Sequence, residues 1–245
     1  MEKIDSFINK IIQGDCLEIM KEMPDKSVDL VLTDPPYGMN KGDWDKKPFY
    51  EIGKECFRVM KDNSAIYMFC GDNSYIQARQ EIEKFFSFHR TIIWEKENIY
   101  GGGDYLLAHE NILYAKKGNP IFNNIGRLAT SNQLKNIGKE MAKEKSIWKS
   151  RGFNNTCAEY VGHPTQKPIE IIKKIILNSS IENDIVLDPF LGSGTTAVAA
   201  KMLNRKFIGI EIEPKYVKIA QDRLRSVSNT LFEPEKPKVE QKILI

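Results

Sequence analysis

The sequence predicts an α/β fold in which helices cover both faces of a doubly wound, mostly parallel sheet. Short apolar segments alternate with segments of helical periodicity over most of the chain. The segment Val28–Thr33 is largely apolar, which is typical of a parallel strand buried on both faces. A glycine-rich turn at 191–194 follows another short strand and opens a helix. In such folds the ligands bind at the carboxyl edge of the sheet.

Between residues 7 and 115 the alternation can be followed element by element. Apolar runs predict the strands, and apolar residues repeating every three to four positions predict the helices. The predicted elements are a strand at 7–13, a helix at 17–23, a strand at 28–33, a helix at 49–60, a strand at 65–70, a helix at 74–86, and strands at 89–94 and 112–115.

The pattern breaks at Gly118 and resumes after residue 162, and the intervening segment is rich in Asn, Lys and Ser. The elements that follow are a helix at 168–178, a strand at 185–187, a helix at 195–203, a strand at 207–210 and a helix at 214–226. We therefore predict one discontinuous domain, with the following parts: residues 1–117 and 163–226, a mostly irregular insert at 118–162, and a surface tail at 227–245.

Positive charge is concentrated in and around the predicted insert. The whole chain carries a net charge of +3. Nine basic residues against two acidic ones give +7 between residues 116 and 151, which leaves −4 for the remainder. Such a segment is either a solvated surface or an electrostatic footprint for nucleic acid.

Several classes of protein are excluded. The chain lacks the roughly 20 consecutive apolar residues that a membrane-spanning helix needs. Its N-terminus lacks the apolar run of a signal peptide, so we expect a cytoplasmic protein with no membrane association. The four cysteines and three histidines have no spacing typical of a disulfide framework or a zinc site, so no metal is expected.

The first candidate site is the glycine-rich turn. Gly192 and Gly194 allow a ligand to approach the backbone closely, and Glu211 ends the next predicted strand, where a carboxylate can bind ribose hydroxyls. With Ala197 the same glycines also fit the fingerprint of dinucleotide-binding enzymes. A dinucleotide-dependent oxidoreductase and a purely structural turn therefore remain alternatives at this point.

Two neighbouring sequences favour a zwitterionic ligand. Asp188 precedes the glycines and can bind an ammonium group, whereas Lys167, in the HPTQKP segment at 163–168, can bind a carboxylate. An amino-acid tail has both groups, which points to S-adenosylmethionine (SAM). The alternative for HPTQKP is a proline-stiffened loop that starts a helix.

The second candidate site is Asp34-Pro35-Pro36-Tyr37, which ends the predicted strand at 28–33. The Asp34 carboxylate and the Pro35 carbonyl, held by the stiff Pro-Pro unit, can both accept hydrogens from an exocyclic amine. The Tyr37 ring can stack on an extruded base. The alternative is a Pro-Pro device that redirects the chain.

Four segments together resemble the amino-methyltransferases that modify DNA, in their permuted class: TDPPYG at 33–38, HPTQKP at 163–168, DPFLGSGTT at 188–196 and GIEIE at 209–213. The resemblance implies a seven-stranded methyltransferase sheet with one antiparallel strand, SAM as cofactor, and a target recognition segment in the insert. It also implies that Asp34, Pro35 and Tyr37 hold the target base. Segments 94–96 and 109–110 lie where this family lines the base pocket.

The resemblance assigns cofactor roles residue by residue. Glu211 would bind ribose, Thr165 and Lys167 would contact the methionine end, and Asp15 would lie near adenine unless it only caps a helix. Candidate catalytic residues are Asp34, Pro35, Pro36 and Tyr37. Candidate cofactor-binding residues are Asp15, His163, Thr165, Lys167, Asp188, Phe190, Gly192, Ser193, Gly194, Thr195 and Glu211. Candidate DNA-binding residues are Lys135, Lys139 and Lys143.

The implied activity is methyl transfer from SAM to N6 of a flipped adenine in duplex DNA. Asp34 before Pro-Pro favours adenine within this family, with N4 of cytosine as the alternative and an oxidoreductase as a more remote one. Methylation of the cytosine ring carbon is excluded because no cysteine follows a proline. Implied partners are duplex DNA, a cognate restriction endonuclease and a second copy of the chain.

Overall fold

The computed structural model describes residues 2–100, 104, 106–123, 145–150 and 159–227. Its strands are β1 Lys10–Gln13, β2 Val28–Thr33, β3 Met60–Cys70, β4 Ser87–Tyr100, β5 Leu107–Lys117, β6 Ile147–Ser150, β7 Ile185–Asp188 and β8 Lys206–Glu211. Its helices are α1 Glu2–Asp5, α2 Cys16–Glu22, α3 Gly53–Val59, α4 Tyr75–Phe85, α5 Ile169–Ser179, α6 Thr195–Met202 and α7 Pro214–Ser226.

These strands form one sheet in the order β1-β8-β7-β2-β3-β5-β4-β6. β5 runs antiparallel to β3 and β4, and the other pairs are parallel. This confirms the predicted doubly wound, mostly parallel sheet. The count of seven strands was one too low for the described residues, because β6 adds an eighth strand beside β4. β6 lies inside the predicted insert, and its four residues are too few to show a period.

Two hydrophobic clusters occupy the two faces of the sheet. On one face α2, α3 and α4 contribute residues such as Met20, Cys56 and Ile82. On the other face α5 and α6 contribute residues such as Ile172 and Ala199. Helices on both faces explain why the buried strands read as nearly continuous apolar runs.

Some predicted boundaries were wrong at places where polar residues or turns hide the element. β1 begins at Lys10, not at residue 7, because Asn9 has a left-handed φ of 58° that ends the preceding turn. β3 begins at Met60, five residues before the predicted start. The residues at 61–64 are polar, so this part of the strand shows no apolar run. α3 begins only at Gly53, since the Phe49 amide donates to the Pro36 carbonyl in the preceding loop.

The topology brings the carboxyl ends of β2, β7 and β8 to one edge, where Asp34, Asp188 and Glu211 are found. No helix in the described ranges is long and apolar enough to cross a membrane. The candidate DNA-binding residues Lys135, Lys139 and Lys143 lie outside the described residues.

Candidate active site

A cavity of about 690 Å³ opens at this edge of the sheet. The predicted site residues that line it are Asp15, Asp34, Pro36, His163, Thr165, Lys167, Asp188, Phe190, Gly192, Ser193, Thr195 and Glu211. Pro35, Tyr37 and Gly194 do not line it. Both candidate sites therefore face a single cavity, with the β2 end on one side and the β7 and β8 ends on the other.

Asp34 lies at the end of β2 with its side chain 19% exposed. Its Oδ1 accepts a hydrogen bond from the Tyr37 hydroxyl at 2.6 Å, and its Oδ2 accepts one from Lys167 Nζ at 2.5 Å. Burial raises the pKa of Asp34 above its ordinary value, and the Lys167 ammonium opposes that rise. The carboxylate thus depends on a lysine that is 133 positions away in sequence.

Lys167 is itself almost completely buried between two carboxylates. Its Nζ lies 3.4 Å from Glu110 Oε2, and Glu110 Oε1 in turn accepts a hydrogen bond from Lys96 at 2.5 Å. Burial alone would lower the pKa of Lys167, but Asp34 and Glu110 raise it above its ordinary value. The resemblance put this lysine at the methionine end of a cofactor, whereas its ammonium lies against Asp34.

Asp45 organises the backbone that follows the Asp34-Pro35-Pro36-Tyr37 turn, and the sequence reasoning missed it. Its carboxylate accepts hydrogen bonds of 2.8–3.1 Å from the amides of residues 37, 38, 39 and 41, and its carbonyl accepts one from Asn40. Asp45 is only 2% exposed. A single aspartate therefore fixes residues 37–41, including the backbone of Tyr37.

Three rings pack together in the wall of the cavity. The ring centroid of His163 lies 4.1 Å from that of Tyr216 and 5.8 Å from that of Trp44. Burial lowers the pKa of His163 to about 3, so the imidazole is neutral, and its Nδ1 accepts a hydrogen bond from the Thr165 amide. Trp44 and Tyr216 also line the cavity and were not predicted, because neither belongs to a recognisable motif.

The glycine turn is held by side chains on both sides. Asp188 accepts hydrogen bonds from the Thr196 hydroxyl at 2.6 Å and from the Phe190 amide at 3.1 Å. Burial raises the pKa of Asp188 to about 7. Gly194 has φ 86°, and a Cβ there would lie 2.7 Å from Ala220 Cβ. Its role is thus close packing of the turn against α7 and not contact with the cavity.

Glu211 also receives backbone hydrogen bonds. Its Oε2 accepts from the Gly192 amide at 2.7 Å, and its Oε1 accepts from the Glu213 amide at 2.8 Å. Burial raises its pKa above the ordinary value. Neither Asp188 nor Glu211 forms an ion pair within the described part of the chain, so this side of the cavity suits a positively charged ligand.

Asp15 caps α2 through hydrogen bonds from the amides of Leu17 and Glu18. The helix cap that was the alternative role of Asp15 is thus observed, and Asp15 also lines the cavity. Cys16 lines it too, but burial raises the pKa of its thiol to about 12. A neutral thiol is a poor nucleophile, so the arrangement favours direct transfer to a bound acceptor.

Comparisons of sequence with known proteins agree with one another. Residues 28–222 match the protein family described as DNA methylase. The chain is 34% identical over 289 aligned positions to the type II methyltransferase M.HinfI of Haemophilus influenzae, covering 100% of this chain and 78% of that protein. It is 34% identical over 245 positions to the DNA adenine methyltransferase YhdJ of Escherichia coli (strain K12), covering 89% and 83%.

Solved structures share the fold. The crystal structure of the M1.HpyAVI–SAM complex is similar with a TM-score of 0.66 and 31% identity, covering 88% of this chain and 99% of that one. The cytosine-N4-specific PvuII DNA methyltransferase has a TM-score of 0.73 at 18% identity, covering 90% and 87%, a likeness that concerns the fold alone.

Proposed function

Since this chain belongs to the N6/N4 family of DNA methylases, we propose that it methylates N6 of adenine within a short sequence of duplex DNA. One observation carries the proposal: a largely buried carboxylate paired with lysine, and two buried carboxylates that form no ion pair within the described residues, face one cavity. The first suits a neutral base amine, and the second pair suits a cationic cofactor.

The residues on the cofactor side fit SAM. When bound, SAM supplies an electrophilic methyl group on a positively charged sulfur. Asp188 would bind its ammonium group, and Glu211 would accept hydrogen bonds from the ribose hydroxyls. Asp15, at the same rim, would lie toward the adenine end. Residues that would line the remainder are Phe190, Gly192, Ser193, Thr195, His163 and Thr165.

On the target side the chain offers acceptors for both amine hydrogens. The Pro36 carbonyl already accepts from Phe49, whereas in the described part of the chain no backbone amide donates to the Pro35 carbonyl. Asp34, which lines the cavity, would bind the amine and turn its lone pair toward the methyl group, and the Pro35 carbonyl behind it is proposed as the second acceptor. Asp34 is also placed to accept the proton that the nitrogen releases after methylation. The base must leave the duplex to reach this site.

Adenine is favoured over cytosine for two reasons. The family resemblance associates Asp before Pro-Pro with adenine, and a relative of 34% identity is named an adenine methyltransferase. N4 of cytosine is the alternative, because both amines make the same hydrogen bonds. The order of the segments, with Asp34 before the glycine turn, supports membership of the permuted class.

Recognition of DNA would rest on the predicted insert at 118–162. Replacing Lys135, Lys139 and Lys143 together by Gln should weaken DNA binding and reduce the slope of log affinity against log salt by up to about 2.7, since each phosphate contact contributes about 0.9. An unchanged slope would contradict this role. The type II names of relatives support a functionally paired restriction endonuclease, and a homodimer remains a proposal.

The deciding experiment is to express the protein in cells free of other methyltransferases and to sequence a plasmid for modified bases. We expect N6-methyladenine at one short motif in the wild type and none in the Asp34→Ala variant. N4-methylcytosine would establish the alternative base, and the absence of both would contradict the proposed function.

A further inference from the structure

We propose that Lys167 is a positioning residue for methyl transfer, which holds the Asp34 carboxylate in its acceptor form beside the target amine and does not bind the methionine end of the cofactor. This inference rests on the proposed function. It reassigns a lysine that the family resemblance placed at the cofactor.

The surroundings of the ammonium group fix its position. Lys167 Nζ is 2.5 Å from Asp34 Oδ2, 3.3 Å from the Thr165 carbonyl and 3.4 Å from Glu110 Oε2. It also lies over the ring of Phe69, 5.3 Å from the centroid. Two hydrogen bonds, an ion pair with Glu110 and an exposure of only 7% enclose the ammonium within this cluster before any ligand binds.

Charge balance opposes a second role at the cofactor. Lys96, Glu110, Lys167 and Asp34 alternate in sign along one buried chain of contacts, so the cluster is neutral as a whole. If Lys167 turned to a cofactor carboxylate, Asp34 would lose its counterion while still buried, which is strongly unfavourable. The lysine therefore belongs to the target side.

The pairing leaves Asp34 able to accept a further hydrogen bond. Each carboxylate oxygen has two lone pairs. Oδ1 accepts one hydrogen bond, from the Tyr37 hydroxyl, and Oδ2 accepts one, from Lys167, so each oxygen keeps one lone pair. A protonated Asp34 would instead become a donor at one oxygen. Retention of the ionised form is thus what the target amine requires.

The groups that act on Asp34 come from several elements. The residues involved are Glu110 on β5, Cys70 on β3, Asp188 on β7, Tyr37 on the following turn and Lys167 before α5. Burial and the Glu110 charge raise the pKa of Asp34, and Lys167 and the Tyr37 hydrogen bond lower it. Removal of Lys167 and removal of the Glu110 charge should therefore have opposite effects.

The test compares Lys167→Gln, Lys167→Arg and Glu110→Gln with Lys61→Gln, which removes a lysine that pairs with Asp29 at the opposite edge of the sheet. Single-turnover methyl transfer is measured against pH with saturating DNA and SAM, and SAM affinity is measured by calorimetry. Lys167→Gln should reduce the maximal rate about 100-fold, a typical effect of one preorganised charged contact. The SAM dissociation constant should stay within about threefold.

The two charge-removing variants should shift the pH profile in opposite directions. In Lys167→Gln the acid limb of the rate should move to higher pH, whereas in Glu110→Gln it should move to lower pH. Lys167→Arg, which keeps the charge, should restore part of the rate, and Lys61→Gln should leave rate and profile unchanged. If Lys167→Gln does not fold, the SAM affinity of Lys167→Arg and the shift of the acid limb to lower pH in Glu110→Gln still test the inference.

Two results would overturn the inference. One is a loss of SAM affinity above about tenfold in Lys167→Gln with a normal rate at saturating SAM, which identifies a cofactor ligand. The other is displacement of the acid limb in the same direction in both variants. Neither result can be confused with failure of the proposed function, because that failure would leave the wild type without methyl-transfer activity.

Discussion

The two sides of the cavity bury acidic side chains in different ways. On the target side, Asp34 and Glu110 are neutralised by the lysines at 167 and 96. On the cofactor side, Asp188 and Glu211 receive hydrogen bonds from amides and a hydroxyl, without an ion pair in the described residues. These hydrogen bonds use some of the carboxylate lone pairs and supply no counterion.

This difference matches the charge of the two ligands. A nucleobase is neutral, so a compensated site can bind it without leaving a net charge in a dry environment. SAM carries a sulfonium, an ammonium and one carboxylate group, so its net positive charge makes uncompensated protein carboxylates favourable once it binds. The distribution of counterions therefore separates the two halves of one continuous cavity.

The largest effect is expected for Asp34→Ala. It should lower the single-turnover methyl-transfer rate by about a thousandfold, at the upper end of the range expected when a preorganised contact is lost. SAM binding by calorimetry should change little, because Asp34 belongs to the compensated side. Asp62→Ala, at an exposed ion pair with Lys26, is the control. Retained turnover in Asp34→Ala would remove this residue from catalysis.

A smaller and complementary effect is expected for Asp188→Asn. Loss of a charged hydrogen-bonding partner, worth about 1.5–3 kcal/mol, should weaken SAM binding about 10- to 100-fold. The rate at saturating SAM should fall far less than in Asp34→Ala, since Asp188 does not contact the target side. Calorimetry and single-turnover kinetics on the same samples separate the two effects. Unchanged SAM affinity would show that the cofactor side does not depend on this charge.

The remaining prediction concerns the pH dependence of stability. Burial raises the pKa of Asp188 from 3.8 to about 7, so between these values the folded ligand-free chain holds a proton that the unfolded chain has released. This contribution to the free energy of unfolding is present at low pH and is lost as the pH rises through that window, by up to about 1.4 kcal/mol per pH unit.

His163 has the opposite slope, because its pKa is lowered to about 3. The free energy of unfolding should therefore be measured in urea for the wild type and for Asp188→Asn, and the difference between the two should be followed against pH. We expect the free energy of unfolding of the wild type, relative to that of the variant, to decline toward pH 7. Saturating SAM should offset this decline. A difference that is flat with pH would show that Asp188 titrates normally in the folded chain.

The sequence was sufficient for features that depend on local pattern. β2 and α7 have the bounds that periodicity predicted, and the rule that parallel strands share a carboxyl edge brought Asp34, Asp188 and Glu211 together. Local pattern also explains the short turns, whose glycines need left-handed backbone or close packing.

Features that depend on contacts between distant segments were not predictable. The partner of Lys167 is set by packing across the sheet, so its motif could not distinguish a cofactor ligand from a counterion of Asp34. The strand β6 is defined by its neighbour β4 and not by its own four residues. Asp45 acts through main-chain amides, which leave no signature in the side chains it organises.

Asp45 holds the turn beside the target site through the turn's backbone alone, so the shape of the turn does not depend on the side chains that it exposes. Because the bonds run to the main chain, Met39 and Lys41 contribute no side-chain atom to them, and both side chains are exposed. These two positions can be exchanged for other residues while the turn keeps its geometry.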